Sequence, residues 1–346
     1  MPLAIRPLDT ASAAAWDGFV RAHPNGTFFH LSAWAGIVEK AFGHTTHYVY
    51  AERDGAIVGV LPLARVKTLL FGDTFISVPF CVYGGPLAVD PETESALTAH
   101  AAALLAKSGA SAVEFRVRDT DGPAQGAWME RPDLYVTFRK PIEADHDKNM
   151  KAIPRKQRAM VRKGISNNLT SVVDRDTGRL HGIYAESVRN LGTPVFSRRY
   201  FSILAEAFGP DCDTVTILDG ETAIASVMNF YFREEVLPYY GGGTLAARGR
   251  AGNDFMYWEV MRRAAERGYR LFDFGRSKLG TGAHDFKKNW GFTAAPLRYR
   301  YLLAPGASIP DHTPLNPKYR LFIAAWKKLP LPVANLLGPP IVRGLG

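Results

Sequence analysis

The chain repeats itself, and the repeat bounds what it can fold into. Ala41-Phe42-Gly43, Asp54-Gly55, Tyr83-Gly84-Gly85, Gly109 and Glu114-Phe115-Arg116 recur in order as Ala207-Phe208-Gly209, Asp219-Gly220, Tyr240-Gly241-Gly242, Gly268 and Asp273-Phe274-Gly275. The offset between the series drifts only from 166 residues (Phe42 to Phe208) to 159 (Glu114 to Asp273). A conserved order at near-constant spacing points to two copies of one fold in tandem. The length of 346 residues suits two domains of roughly 150 residues, each large enough to bury its own core. The expected boundaries are 1–147 and 148–305, followed by a tail over 306–346.

Within each copy the periodicity predicts the same series of elements. Helices are expected over Ser32 to Phe42 and Arg198 to Phe208, where apolar residues fall three and four apart. Each is followed by two β-rich runs joined at Asp54-Gly55 or Asp219-Gly220, a hairpin signal. A third strand should end at each Tyr-Gly-Gly. A helix over Glu92 to Ala106, or Asp254 to Arg267, then leads through a terminal glycine to a last buried strand, Ala112 to Phe115 or Leu271 to Phe274. The fold class is therefore mixed α/β.

Hydrophobic residues make up 47% and charged residues 22%, which with the absence of low-complexity tracts argues against long disorder. The two cysteines, Cys81 and Cys212, lie far apart in apolar surroundings and read as buried thiols of a reducing compartment. No signal-peptide core and no run of about 18 apolar residues occurs, so a cytoplasmic protein is expected. The net charge of +9 favours an anionic partner. Lys148, Lys151, Arg155, Lys156, Arg158, Arg162 and Lys163 gather between the copies, as a binding surface or as a solvated helix face.

Only the second copy runs on into Arg276-Ser277-Lys278-Leu279-Gly280-Thr281-Gly282-Ala283-His284-Asp285-Phe286-Lys287-Lys288-Asn289-Trp290-Gly291-Phe292; at the offset of 159, Lys287 answers to Trp128. Chemistry is therefore expected in the second copy, with the first forming acceptor-cleft wall. Helix, antiparallel strands, helix, strand is the order of the GNAT acetyltransferase fold, whose mixed sheet splays near its middle where an acyl donor lies. From Tyr239 to Phe292 the chain resembles the FemAB family of tandem GNAT-like aminoacyltransferases, through Asp273-Phe274-Gly275, Gly280 to Gly282, Phe286-Lys287 and Trp290-Gly291-Phe292. Arg155 to Asn167 is similar to that family's basic helix opening the second domain. The run from Asn316 through Trp326-Lys327-Lys328-Leu329-Pro330 to Gly346 resembles FemAB-like proteins associated with the PEP-CTERM/exosortase system and exopolysaccharide synthesis.

The resemblance implies an acyl or aminoacyl transfer to an amine of a saccharide- or lipid-linked acceptor in envelope assembly. No bound cofactor or metal is expected; the acyl donor is a co-substrate, either aminoacyl-tRNA or an acyl thioester. It implies Lys287 at the donor, where a fixed cation would stabilise the oxygen that gains charge during amine attack. Phe286 and Trp290 flank it as expected substrate contacts. The resemblance also implies acceptor contacts at Arg198, Arg199, Tyr200, Tyr239 and Tyr240, and at Lys40 in the first domain. Asp273, Asp285 and His284 are candidate bases for the proton that the attacking ammonium must lose. Lys288 would point away from Lys287 if the segment is extended.

Gly241, Gly242, Gly243, Arg248, Arg250 and Asn253 stand where GNAT enzymes bind the pyrophosphate of coenzyme A. The run Arg248-Gly249-Arg250-Ala251-Gly252-Asn253 departs from the Arg-x-x-Gly-x-Gly form, which disfavours coenzyme A. A phosphate of RNA or of a nucleotide-linked acceptor, or plain turn chemistry, stays open. His44 and His47 have no third ligand in sight and do not suggest a metal. The rival readings are a basic nucleic-acid-binding module and a membrane-surface scaffold. The tail is expected to form short proline-broken helices that pack on the first domain, with peripheral contact to the inner membrane as the other placement.

Overall fold

The computed structural model describes residues 3–69, 71–118, 126–174, 176–309 and 319–346. They divide into two compact units, 1–134 with 297–313 and 343–346, and 135–296 with 314–342. Compared with the boundaries expected from the repeat, residues 135–147 join the second unit and 297–305 the first.

The first unit contains β1 (Ala4–Pro7), α1 (Ala13–Ala22), α2 (Ala33–Phe42), β2 (Thr45–Thr46), β3 (Val49–Arg53), β4 (Ala56–Leu61), β5 (Ala64–Thr68), β6 (Gly72–Ile76), β7 (Leu87–Ala88), α3 (Pro91–Ser108) and β8 (Ala112–Val117). The hairpin β3–β4 turns at Asp54 and Gly55, both in the left-handed region with φ 55° and 76°. That turn matches the right-handed twist of its strands. Asp90 caps α3 by accepting from the Thr93 N–H at 2.8 Å, and Gly109 ends it with φ 71°. Leu61, Leu63, Phe75, Leu97, Ala101 and Val113 form the core beneath it.

The second unit contains the end of β9 (Met129–Pro141), then α4 (His146–Ala152), α5 (Arg155–Ser166), β10 (Thr170–Asp174), α6 (Gly178–Leu191), α7 (Arg198–Phe208), β11 (Cys212–Asp219) and β12 (Thr222–Phe232). It continues with β13 (Glu235–Gly243), α8 (Leu245–Arg250), α9 (Gly252–Glu266), β14 (Leu271–Lys278), α10 (Gly282–Asn289) and the start of β15 (Ala294–Leu303). Its strands lie in the order β10-β11-β12-β13-β14-β9. The helices α11 (Arg320–Trp326) and α12 (Leu331–Val342) also belong to it.

Each unit takes one strand from the other copy's sequence. Tyr135 to Pro141 of β9 pair with β14, and Arg298 to Leu303 of β15 pair with β8. Local periodicity carries no trace of this exchange, because a strand reads the same whichever sheet it joins.

Three expectations change. Tyr83-Gly84-Gly85 ends no strand; it lies in an irregular segment where the Gly84 N–H bonds the Arg116 carbonyl at 2.7 Å and a Cβ on Gly84 would meet the Ser77 carbonyl oxygen at 2.6 Å. The segment with Lys287 and Lys288 is helical, started by the Thr281 hydroxyl, which accepts from the His284 N–H at 3.4 Å. The tail helices α11 and α12 pack on the second unit, where Gly192 lies against Ile323 and Gly338 against the Val195 backbone; of the described tail, residues 306–309 and 343–346 belong to the first. Pro339 and Pro340 lie inside α12 and do not break it. Asn316 and Pro317, at the start of the tail motif, lie outside the described residues.

Candidate active site

The second unit's sheet opens at the parallel junction between β13 and β14. β13 and β14 pair at only two positions, Glu235 with Leu271 and Val236 with Phe272. Beyond Val236 the two strands run on, to Gly243 and to Lys278. This is the splay expected of the fold. A register shift between Met228 and Asn229 leaves Tyr239 out of the β12–β13 pairing at its edge. A second shift between Asp273 and Gly275 interrupts the β14–β9 pairing. Gly275 has φ 66°, a conformation that glycine adopts without strain.

That bulge aims two carbonyls at one lysine. Lys287 Nζ, reaching back from α10, donates to the carbonyl oxygens of Gly275 at 3.1 Å and Arg276 at 2.9 Å. The rings of Phe138 and Phe274 lie 5.8 and 6.0 Å from Nζ. Burial lowers the ammonium to about 7; Asp273 opposes the shift and Arg276 adds to it. A buried amine that titrates near neutrality beside an opened sheet can stabilise an oxyanion as ammonium or accept a proton as amine.

Asp273 is fully buried. Its carboxylate accepts from the Gly275 N–H at 2.6 Å and pairs with Arg139 Nε at 3.4 Å. Arg139 also pairs with Glu235, at the start of β13. Asp273 therefore fixes the bulge and steadies the Lys287 charge, and is spent on structure more than free to act as a base. One turn before Lys287 on α10, His284 lies edge-on to Phe138 with centroids 5.6 Å apart, and its Nδ1 is 3.1 Å from Asp285 Oδ1. The Asp285 carboxylate is otherwise in solvent, at 70% exposure.

Other expected contacts are displaced by packing. Trp290 is fully buried in the core, where its Nε1 donates to Asp254 Oδ1 at 3.2 Å. Phe286 packs beside it on Tyr257 and Phe274. Tyr200 and Tyr240 are buried, their hydroxyls 2.8 Å apart, within a cluster that includes Phe196 and Phe201. Trp290, Tyr200 and Tyr240 reach no open surface and Phe286 is half-buried, because an aromatic on a helix face or sheet is first of all a means of burying area. Tyr239 stays half-buried at the splay, and Arg199 is exposed. Arg198 is exposed and 3.5 Å from Asp176. In the first unit, Lys40 is exposed in the last turn of α2.

The glycine loop is occupied by the protein itself. A Cβ on Gly242 would meet Ser187 at 2.5 Å, one on Gly241 would meet Val227 at 2.9 Å, and one on Gly243 would strike Asn253 Oδ1. Arg250 forks onto Asp219 with two bonds of 2.7 Å and also donates to the Asn167 carbonyl at 3.1 Å. Arg248 is exposed. Asp254, in the first turn of α9, is shifted upward chiefly by burial and accepts from Gln157 and Trp290. A carboxylate at this helix start opposes an anion there. The glycines serve close approach of α6 and α9, and Arg250 is withdrawn from phosphate contact.

Sequence reasoning missed Arg139, because its strand joins the second unit only through the exchange, and Asp254 with Gln157, whose long-range pairing leaves no local pattern. Among the described residues no group of three or more His, Cys, Asp or Glu could hold a metal ion. His44 Nε2 instead lies 2.8 Å from the Arg343 carbonyl oxygen. Arg155, Lys156, Arg162 and Lys163 of α5 are exposed, while Gln157, Val161 and Gly164 point inward.

Residues 148–288 match the family model for the acetyltransferase (GNAT) domain. No curated protein matches the chain. Among solved structures it is similar to FemX, with a TM-score of 0.67 at 16% identity over 92% of this chain and 100% of that one. It is also similar to a tandem GNAT protein from the clavulanic acid biosynthesis pathway, with a TM-score of 0.55 at 15% identity over 89% and 100%. The C-terminal domain of a protein assigned as a lysylphosphatidylglycerol synthetase from Agrobacterium fabrum gives a TM-score of 0.54 at 12% identity over 84% and 91%. At these identities the likeness is one of fold, that of tandem GNAT-type domains.

Proposed function

We propose that this chain of two GNAT-type units is an N-acyltransferase of aminoacyl-transfer type, with its chemistry in the second unit. The observation that carries this reading is the splay between β13 and β14, bordered by the bulge that aims the Gly275 and Arg276 carbonyls at Lys287. The acyl group of the donor enters the splay with its carbonyl oxygen toward Nζ. Two N–H bonds of the Lys287 ammonium are held by backbone carbonyls, and the third donates to the oxygen that becomes negative as the acceptor amine attacks. The amine nitrogen bonds to the acyl carbon, the bond to the donor's leaving oxygen or sulfur breaks, and the amine gives up one proton. His284, on the same helix face, is the candidate to take it.

The ordered motif from Asp273 to Phe292 supports an aminoacyl-type donor, and the filled glycine loop speaks against coenzyme A in the usual pose. The acceptor is an amine on a saccharide- or lipid-linked carrier of the cell envelope or exopolysaccharide, in keeping with the resemblance to PEP-CTERM-associated proteins. tRNA is then a partner as donor. The site works in the cytoplasm, with peripheral contact to the inner membrane through the tail. Mass spectrometry of the surface polysaccharide from a deletion strain tests this: a missing acyl or aminoacyl group, restored by the wild-type gene and not by Lys287→Ala, is the expected result. An unchanged polysaccharide, with no transfer by the purified protein from charged tRNA or acyl thioesters, would overturn it.

A further inference from the structure

The first unit carries a half-open cavity of about 750 Å³, within the roughly 300–1,000 Å³ usual for small-molecule sites. Gly84, Phe115 and Trp128 line it. By the repeat these are the first-copy counterparts of Gly241, Phe274 and Lys287. The cavity is thus the first copy's version of the cleft assigned above to the donor, with an indole in place of the ammonium. Trp128 stacks on Phe115 with centroids 4.4 Å apart, and Val117, Leu302 and Ala102 extend the apolar wall.

One buried polar group in that wall lacks an acceptor. His30 is 2% exposed and lines the cavity. Its Nδ1 accepts from the Thr27 backbone N–H at 3.3 Å and lies 2.7 Å from the Thr27 hydroxyl. Burial, aided by the Arg118 cation, keeps the ring neutral, with a pKa lowered to about 3. A backbone N–H can only donate, so Nδ1 is bare and the single ring proton sits on Nε2. Nε2 is buried and has no hydrogen-bond partner among the described residues, while the nearby Gly85 carbonyl draws the ring's pKa upward against the effect of burial. Buried N–H groups in native proteins are nearly always paired, so one left over in a cavity wall marks where a ligand acceptor fits.

The charges around the cavity choose the acceptor. Arg118 lines the same wall, next to His30. Glu94 also lines the cavity and pairs with Arg300 at 3.5 Å, so a ligand with one negative charge meets less repulsion there than a multiply charged phosphate chain. We propose that this cavity binds a small monocarboxylate with an apolar or aromatic body, its carboxylate accepting the His30 Nε2 hydrogen and facing Arg118, its body against Phe115 and Trp128. The site goes beyond the acyl transfer of the second unit and requires no chemistry of its own.

Titration calorimetry on the full chain tests it, with 3-phenylpropionate as probe and 3-phenylpropanol as the uncharged control. One saturable site is expected, with the acid binding about 10-fold more tightly than the alcohol. Ala102→Phe should fill the cavity and abolish binding. His30→Asn keeps an oxygen that can accept from Thr27 but removes the Nε2 donor, and should weaken the acid about 10-fold while leaving the alcohol unchanged. If His30→Asn fails to fold, Ala102→Phe and the acid-to-alcohol ratio decide. No saturable binding of the acid, equal binding of acid and alcohol, or binding indifferent to Ala102→Phe would each overturn the proposal. Lys287→Ala should bind the probe as wild type does, so loss of transfer and loss of this site are read separately.

Discussion

Replacing Lys287 by Met probes the candidate site through stability as well as rate. Methionine can keep its stem against Phe138 and Phe274 but carries neither charge nor donor. Burial draws the ammonium from 10.5 to about 7, so folding with the proton on costs about 5 kcal/mol at roughly 1.4 kcal/mol per pH unit. Below pH 7 that cost is present in full. Between about 7 and 10.5 the folded protein has released the proton while the unfolded chain still holds it, so stability rises with pH across this window. At pH 7 the remaining cost is about 4 kcal/mol, against about 1 kcal/mol recovered from each of the two carbonyl hydrogen bonds. Lys287→Met should therefore be about 2 kcal/mol more stable than wild type at pH 7 and slightly less stable near pH 10. Transfer should fall about 100-fold or more, the scale of losing one charge-stabilising group. Urea unfolding from pH 6 to pH 10, run beside the transfer assay, reads both. A variant less stable than wild type at pH 7, by an amount indifferent to pH, would refute the buried-ammonium argument, and full activity would remove Lys287 from the site. Lys288→Ala, exposed on the next position of the helix, should change neither.

Three further outcomes follow from other places in the fold. The buried neutral His30, lowered from 6.5 to about 3, should make stability fall with acid over that interval; His30→Asn should move the acid-unfolding midpoint to lower pH in a circular-dichroism titration. Glu114 pairs with the buried Arg116 at 2.6 Å, so Glu114→Ala should cost about 3 kcal/mol in denaturant unfolding. It should leave the donor half-reaction intact, and a specific loss of that half-reaction with stability unchanged would contradict the assignment of chemistry to the second unit. Leu321, Leu336 and Leu337 on α11 and α12 are 85%, 75% and 43% exposed, close in sequence to the exposed Lys327 and Lys328. Salt-sensitive co-sedimentation with anionic liposomes is expected, lost on truncation before Arg320; no binding at low salt would remove the membrane role.

Among the described residues no helix is long and apolar enough to cross a membrane. The repeat, the two Asp-Gly hairpins, the helices ending at Gly109 and before Gly268, and the mixed α/β class were all determined by the sequence alone, because each rests on neighbours a few residues apart whose spacing and turn chemistry are local. Lys287 was legible as the odd residue out against Trp128; its Nζ lies beside the Gly275 carbonyl, on a helix rather than an extended segment. What only the tertiary structure decided depends on residues far apart in the chain. The exchange that puts Arg139 beside Asp273 is one such case, since either sheet could accept that strand. The burial of Trp290, Tyr200 and Tyr240 is another, since the same aromatic serves a core or a ligand. Arg250 was claimed by Asp219 across 31 residues. The lowered pKa of Lys287 is set by how completely α10, β14 and Phe138 exclude water around one nitrogen, and desolvation is a property of the packed surroundings that no local pattern of residues encodes.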